Sequence, residues 1–167
     1  MSGETRAPWI SGNLSIPSQA MDLIKAHAEQ SYPSECCGFI KGPLESPAAL
    51  TEVMQEQNLA DKYHALDPES FPRTSQTYFK LDELRAQRAF EEAQKTGQAI
   101  KVIYHSHCDA GAYFSEEDAN TFAAHNTLMW PCAFLVVSVI QGKAQDYKLW
   151  VHVPGTNRFE ESKLVVQ

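Results

Sequence analysis

The sequence predicts a single α/β domain with a mixed β-sheet flanked by helices. Three observations carry this. The chain has 167 residues, and a domain typically takes about 150. Hydrophobic residues make up 43% and charged residues 21%, the balance of a packed globular chain and not of a disordered one. Short apolar runs of strand length are interleaved with segments of helical period in a mixed order, which is the pattern of an α/β layer structure. The expected division is a loose arm over residues 1–12 and one domain over residues 13–167.

Taken in order, residues 2–12 are small, polar and proline-containing, the composition of an arm. Leu14 to Ile16 reads as a short strand. Pro17-Ser18 opens a helix to about Gln30, with Ser18 as the expected N-cap and Met21, Ile24 and Ala28 at helical spacing. Pro33 ends it. Cys36 to Lys41, followed by Gly42, reads as a strand, and Leu50 to Gln57 as another. Residues 58–79 contain Asp67-Pro68 and Phe71-Pro72 and lack periodicity. They are expected to be irregular, and long irregular segments in compact domains are commonly functional.

Asp82 caps a predicted helix to Thr96, with Ala86, Ala89, Phe90 and Ala93 on one face and Gly97 as its C-terminal stop. Ala99 to His107 is the next strand, and Ser115 to about Asn126 the next helix. Phe134 to Ile140 reads as a buried strand. Gln141-Gly142 turns the chain into a strand over Ala144 to Val153, Pro154-Gly155 breaks it, and Phe159 to Val166 closes the sheet.

Composition also narrows the partners. The net charge is -7, from 21 acidic and 14 basic residues, whereas binding a nucleic-acid backbone requires lysine and arginine to neutralise phosphates. No nucleic-acid partner is expected. The longest apolar run, Cys132 to Ile140, is far short of the roughly 20 residues of a membrane-spanning helix. Met1 to Ile10 lacks the charged-then-apolar pattern of a signal peptide. Cysteines at 36, 37, 108 and 132 form no CxxC pair, so the reading is a reduced, cytoplasmic chain without a membrane partner.

The stretch Tyr104 to Asn120 carries the chemistry. His105 and His107 are two apart on a predicted strand, so both imidazoles point to the same side. Ser115 and Asp118 are three apart on the first turn of the following helix and share a face. The same Ser-x-x-Asp spacing is also an ordinary helix start. Two imidazoles and a carboxylate converging on one point form a suitable set for Zn²⁺, leaving a fourth position for water. Pro131-Cys132 suggests half of a zinc-deaminase motif, but Leu135 replaces its second cysteine. His27, His64, His125 and His152 are read as surface or structural residues.

The spacing resembles the JAMM (MPN+) zinc metalloprotease motif: an upstream Glu, then HSH, then Ser and Asp. Tyr32-Pro33-Ser34-Glu35-Cys36-Cys37-Gly38-Phe39-Ile40 matches the context of the upstream Glu. The likeness spans roughly Ser15 to Val153 and looks like a stand-alone prokaryotic member. It implies an MPN-like mixed sheet related to the cytidine-deaminase architecture. It further implies one zinc per chain on His105, His107 and Asp118, with Glu35 as general base and Ser115 as oxyanion donor. Two departures stand beside the motif: Cys108 follows the second His, and Phe114 precedes the Ser, where proline is usual. Cys108 then lies beside the zinc as a neutral replacement, an extra ligand or an oxidation-sensitive group. Asn58, following a strand, is a candidate for contact with substrate backbone. The resemblance implies hydrolysis of a peptide or isopeptide bond at the Gly-Gly tail of a ubiquitin-like or sulfur-carrier protein. The alternatives are a noncatalytic MPN-type interaction module and a zinc hydrolase of small peptides.

Overall fold

The computed structural model describes residues 7–167. Its frame is a six-stranded sheet in the order β3-β2-β4-β7-β8-β9. The strands are β2 (Cys37–Pro43), β3 (Glu52–Glu56), β4 (Gln98–Cys108), β7 (Ala133–Ile140), β8 (Lys143–His152) and β9 (Phe159–Ser162). The pairing of β4 with β7 is parallel and every other pairing is antiparallel. A small parallel sheet joins β1 (Leu14–Ile16) to β10 (Leu164–Val166). A two-stranded hairpin joins β5 (Ala123–Ala124) to β6 (Thr127–Leu128). The helices are α1 (Ser18–Ser31), α2 (Ala60–Leu66), α3 (Glu83–Lys95) and α4 (Glu116–Phe122). None of the described helices is long and apolar enough to cross a membrane.

Each face of the large sheet has its own core. On one face Met21, Ile24 and Ala28 of α1 pack with Ile40, Val102, Tyr104, Leu135 and Val137. On the other, Ala86 and Ala93 of α3 pack with Phe39, Ile100, Ile103, Phe122 and Phe134. Ile100 and Val102 are two apart in β4 yet lie in opposite cores. A bulge explains this: Ile40 pairs with Val102 and Lys41 with Ile100, leaving Lys101 as the extra residue. Lys101 is completely buried, and its Nζ donates to Pro43 O, Ser46 O and Ala49 O at 2.7 to 2.8 Å. One ammonium thereby ties down the connection between β2 and β3, satisfying its own donors.

Several boundaries differ from the sequence reading, each for a tertiary reason. The arm expected over residues 1–12 does not extend to residue 7. Pro8–Ser11 form a 3₁₀ turn, and Trp9 is buried with its indole donating to Pro131 O at 2.7 Å; residues 1–6 lie outside the described residues. The N-cap of α1 is Pro17, not Ser18: the Pro17 carbonyl accepts from the Met21 N–H, and the Ser18 N–H, the first of the helix, donates to Gln167 O. Residues 58–79 are not wholly irregular, since α2 forms within them. The helix α4 stops at Phe122, not Asn126. His125 and Asn126 adopt positive φ and turn the chain into the β5–β6 hairpin. The last segment divides at Lys163 into β9 and β10, which belong to different sheets.

Lys101→Met should cost on the order of 3 kcal/mol in urea unfolding, because three carbonyls lose their donor.

Candidate metal centre

The centre forms where the parallel strand β4 ends and α4 begins. Strand alternation sends His105 and His107 to the α3 side of the sheet, with ring centroids 5.1 Å apart. Asp118 meets them from the first turn of α4. His105 Nε2 is 3.1 Å from Asp118 Oδ1, and His107 Nε2 is 3.2 Å from Asp118 Oδ2. All three residues are buried, and their candidate ligand atoms lie within 4.8 Å of one another. Asp118 is positioned by a reciprocal cap: its N–H donates to Ser115 Oγ, and the Ser115 N–H donates to its Oδ2, each at 3.0 Å. Ser-x-x-Asp is therefore a helix start, and the same carboxylate faces both imidazoles.

The donor set has the chemistry to hold a cation. His107 Nδ1 lies 2.9 Å from Gly111 O, which can only accept, so this nitrogen carries the ring proton. Its Nε2 faces both Asp118 Oδ2 and His105 Nε2 at 3.2 Å. Among the described residues, His105 Nδ1 is buried without a hydrogen-bond partner. Burial lowers the His105 pKa, against the opposing pull of Asp118, and so favours the neutral ring. Burial alone would raise the Asp118 pKa, but the two imidazoles outweigh it and hold the carboxyl well below the usual range. Neutral imidazoles and an ionised carboxylate with their lone pairs converging are the states in which these side chains bind a divalent metal.

The loop 109–114 is fixed by three successive carbonyls. Ala110 O accepts from Ser138 Oγ, Gly111 O from His107 Nδ1 and Ala112 O from Trp150 Nε1. Phe114 lies against Phe134, Trp150 and Phe159, so an aromatic cluster holds the segment leading to Ser115. Cys108 is not part of the convergent group. It follows His107 on the strand and falls on the opposite face, and burial pushes its thiol up to about 12.

Glu35 precedes β2 and is buried at the edge of the centre. Its N–H donates to Ser75 O at 2.7 Å. The neighbouring Cys36 N–H donates to Ser106 Oγ at 2.8 Å, so the serine between the two histidines anchors the approach of this segment from the reverse face of β4. Burial, then the nearby Asp118 charge, raises the Glu35 pKa to about 9, with Arg73 opposing.

A family model described as prokaryotic homologs of the JAB domain matches residues 17–153. The chain belongs to this family. Among curated proteins, this JAB-family chain is 31% identical over 108 residues to a CysO-cysteine peptidase of Mycobacterium tuberculosis, covering 63% of the chain and 62% of that protein. The chain therefore spans less than two thirds of that relative's length. A protein from Desulfitobacterium hafniense has the same fold, with a TM-score of 0.68 at 21% identity over 92% of both chains. A JAB1/MPN domain protein from Archaeoglobus fulgidus matches with a TM-score of 0.52 at 15% identity, over 93% of this chain and 98% of that one. The expected MPN-like mixed sheet is thus present.

Asn58 of the JAB-family chain is engaged within the fold. Its Nδ2 donates to Glu35 O and Tyr78 O, and its Oδ1 accepts from Ala60 N and Lys80 N, all at 2.9 to 3.0 Å. With every position of the amide used, it locks the segment after α2 to Glu35. The sequence reading also passed over Phe79, which stacks on His105 at 4.3 Å, and Ser75, which binds both Glu35 and Asp61. No local pattern marks either one, since their partners are distant in the chain. Asn58→Ala should lower the unfolding free energy by about 2–4 kcal/mol. The folded fraction should keep its metal content, as read by mass spectrometry, because Asn58 touches none of the three ligands.

Proposed function

We propose that this chain is a zinc-dependent hydrolase of the JAMM type. Its bond is a peptide or isopeptide bond at the C-terminal Gly-Gly tail of a ubiquitin-like or sulfur-carrier protein. The observation that carries the reading is the convergence of His105, His107 and Asp118 beside a buried carboxyl group, Glu35. The name of the mycobacterial relative, a CysO-cysteine peptidase, supports a carrier-protein substrate. The free thiols of all four cysteines support action in the reducing cytoplasm.

His105, His107 and Asp118 would hold one zinc ion per chain. Bound there, zinc would supply Lewis acidity and lower the pKa of its water towards about 7. Glu35 takes a proton from the attacking water on its carboxylate and hands it to the departing amine nitrogen. Its burial makes the ionised form a stronger base than an exposed carboxylate. Ser115 Oγ accepts from the Asp118 N–H and keeps its own O–H free to donate to the oxygen where negative charge develops. Phe79 and Phe114 keep bulk water from the His105 side of the centre.

Freshly purified protein should contain one zinc per chain, and His107→Ala should lose it. Glu35→Gln should retain the zinc and lose at least about 10²-fold in cleavage of a Gly-Gly-linked substrate. Full cleavage by this variant would overturn the mechanism. A folded wild-type chain that takes up no zinc would overturn the enzyme and favour a noncatalytic module. Ser115→Ala should cut kcat by about 10²-fold. It should also lower stability by about 1 kcal/mol, since the hydroxyl caps α4 as well.

A further inference from the structure

The segment between α2 and α3 forms one wall of the centre. Ser75 fastens it, donating from its N–H and Oγ to Asp61 and accepting from the Glu35 N–H. Two residues before Ser75, Arg73 reaches across to the first turn of α4. Its Nη2 lies 3.8 Å from Glu117 Oε1, and its Nη1 donates to Thr77 O at 3.4 Å. Glu117 is the immediate neighbour of Asp118. The guanidinium thus links the segment that holds the Glu35 N–H to the first turn of α4.

This arginine is poorly used by the fold. Both partners of its ion pair are about half exposed, at 46% and 47%, and such pairs contribute about 0–1 kcal/mol. Arg85 shows what a well-paired arginine looks like in this chain: it grips both oxygens of Glu56, at 2.8 and 3.2 Å. The fork of Arg73 has no such partner, although a fork is the geometry that matches a carboxylate. Its charge reaches Glu35, where it opposes the rise in pKa.

We propose that Arg73 binds the α-carboxylate of the residue that is released, so that the bond cut is the last peptide bond of the substrate. This rests on the hydrolase reading above. The C–N bond breaks, the acyl carbon takes OH from water to become the new carboxyl terminus, and the amine takes the proton and leaves as a free amino acid. In such a substrate the α-carboxyl carbon lies about 2.5 Å from the nitrogen of the broken bond. Its cation must therefore sit close to the centre, and Arg73 joins the two segments that flank it, the one holding Glu35 and the first turn of α4. A lysine isopeptide embedded in a larger chain presents no carboxylate there.

The test compares zinc-loaded full chain on a carrier-tail peptide ending Gly-Gly-Cys as free acid, the same peptide as C-terminal amide, and a matched lysine isopeptide. Wild type should favour the acid over the other two by about 10- to 100-fold in kcat/KM, the range of a charged hydrogen-bonded pair. Arg73→Gln should bring the acid-to-amide ratio towards one, and Arg73→Lys should recover part of it. Glu117→Gln should keep the wild-type ratio. A wild-type ratio near one, or a ratio unchanged in Arg73→Gln, would overturn the assignment while leaving the hydrolase intact. Loss of the ratio in Glu117→Gln would overturn it in favour of a structural latch, and equal losses on acid and amide in Arg73→Gln would point to an acidic side chain as the ligand. Cleavage of none of the three would overturn the hydrolase itself.

Discussion

Lys101 occupies the extra position of the bulge in β4, and that single residue sets the parity of everything after it. Before the bulge Ile100 faces the α3 core; after it Ile103, His105 and His107 share that side, while Val102 and Tyr104 face α1. Moving a strand by one residue exchanges its two faces. Without the bulge in the same pairing, the imidazoles would turn towards α1, away from Asp118. The buried ammonium stabilises the arrangement by giving three carbonyls of the β2–β3 connection one shared donor.

The charge pattern at the end of β4 follows from burial. Burial lowers the His105 pKa, whereas Asp118 is held well below the usual carboxylate range between the two imidazoles and the N-terminus of α4. The helix end supplies backbone N–H groups and a favourable dipole for that carboxylate. Asp118 therefore completes a helix cap and faces both imidazoles with one functional group. The fixed loop 109–114 and the stacked Phe79 leave His107 and His105 little freedom to turn away. A centre preorganised in this way does not have to assemble its donors when it binds an ion.

Some parts of this architecture were legible in advance because their causes are local. Asp82 caps α3, Gly97 takes the positive φ that ends it, and Gln141-Gly142 turn β7 into β8. The two histidines and Asp118 were legible from alternation in a strand and from helix spacing. Other features have their causes elsewhere in the chain. The free N–H of Ser18, at the first position of α1, is satisfied by Gln167 O from the far end of the described chain. The helix α4 ends four residues early, where the backbone turns into a hairpin against the sheet. Residues 7–12 read as an arm because nothing in their composition announces that Trp9 will reach Pro131.

The sequence by itself determined the types and spacing of the chemical groups: which residues alternate onto one strand face, which open a helix, and that Glu35 heads an apolar strand. These rest on the short-range geometry of the backbone, which any stretch of chain obeys wherever it lies. Only the tertiary structure decided that Asn58 is consumed in four internal hydrogen bonds, that Cys108 stands outside the convergent group, and that Arg73 meets Glu117 on the first turn of α4. Each of those depends on segments brought together by the sheet and its two cores. Burial and pairing at such junctions are fixed by packing between distant residues, which no local pattern records.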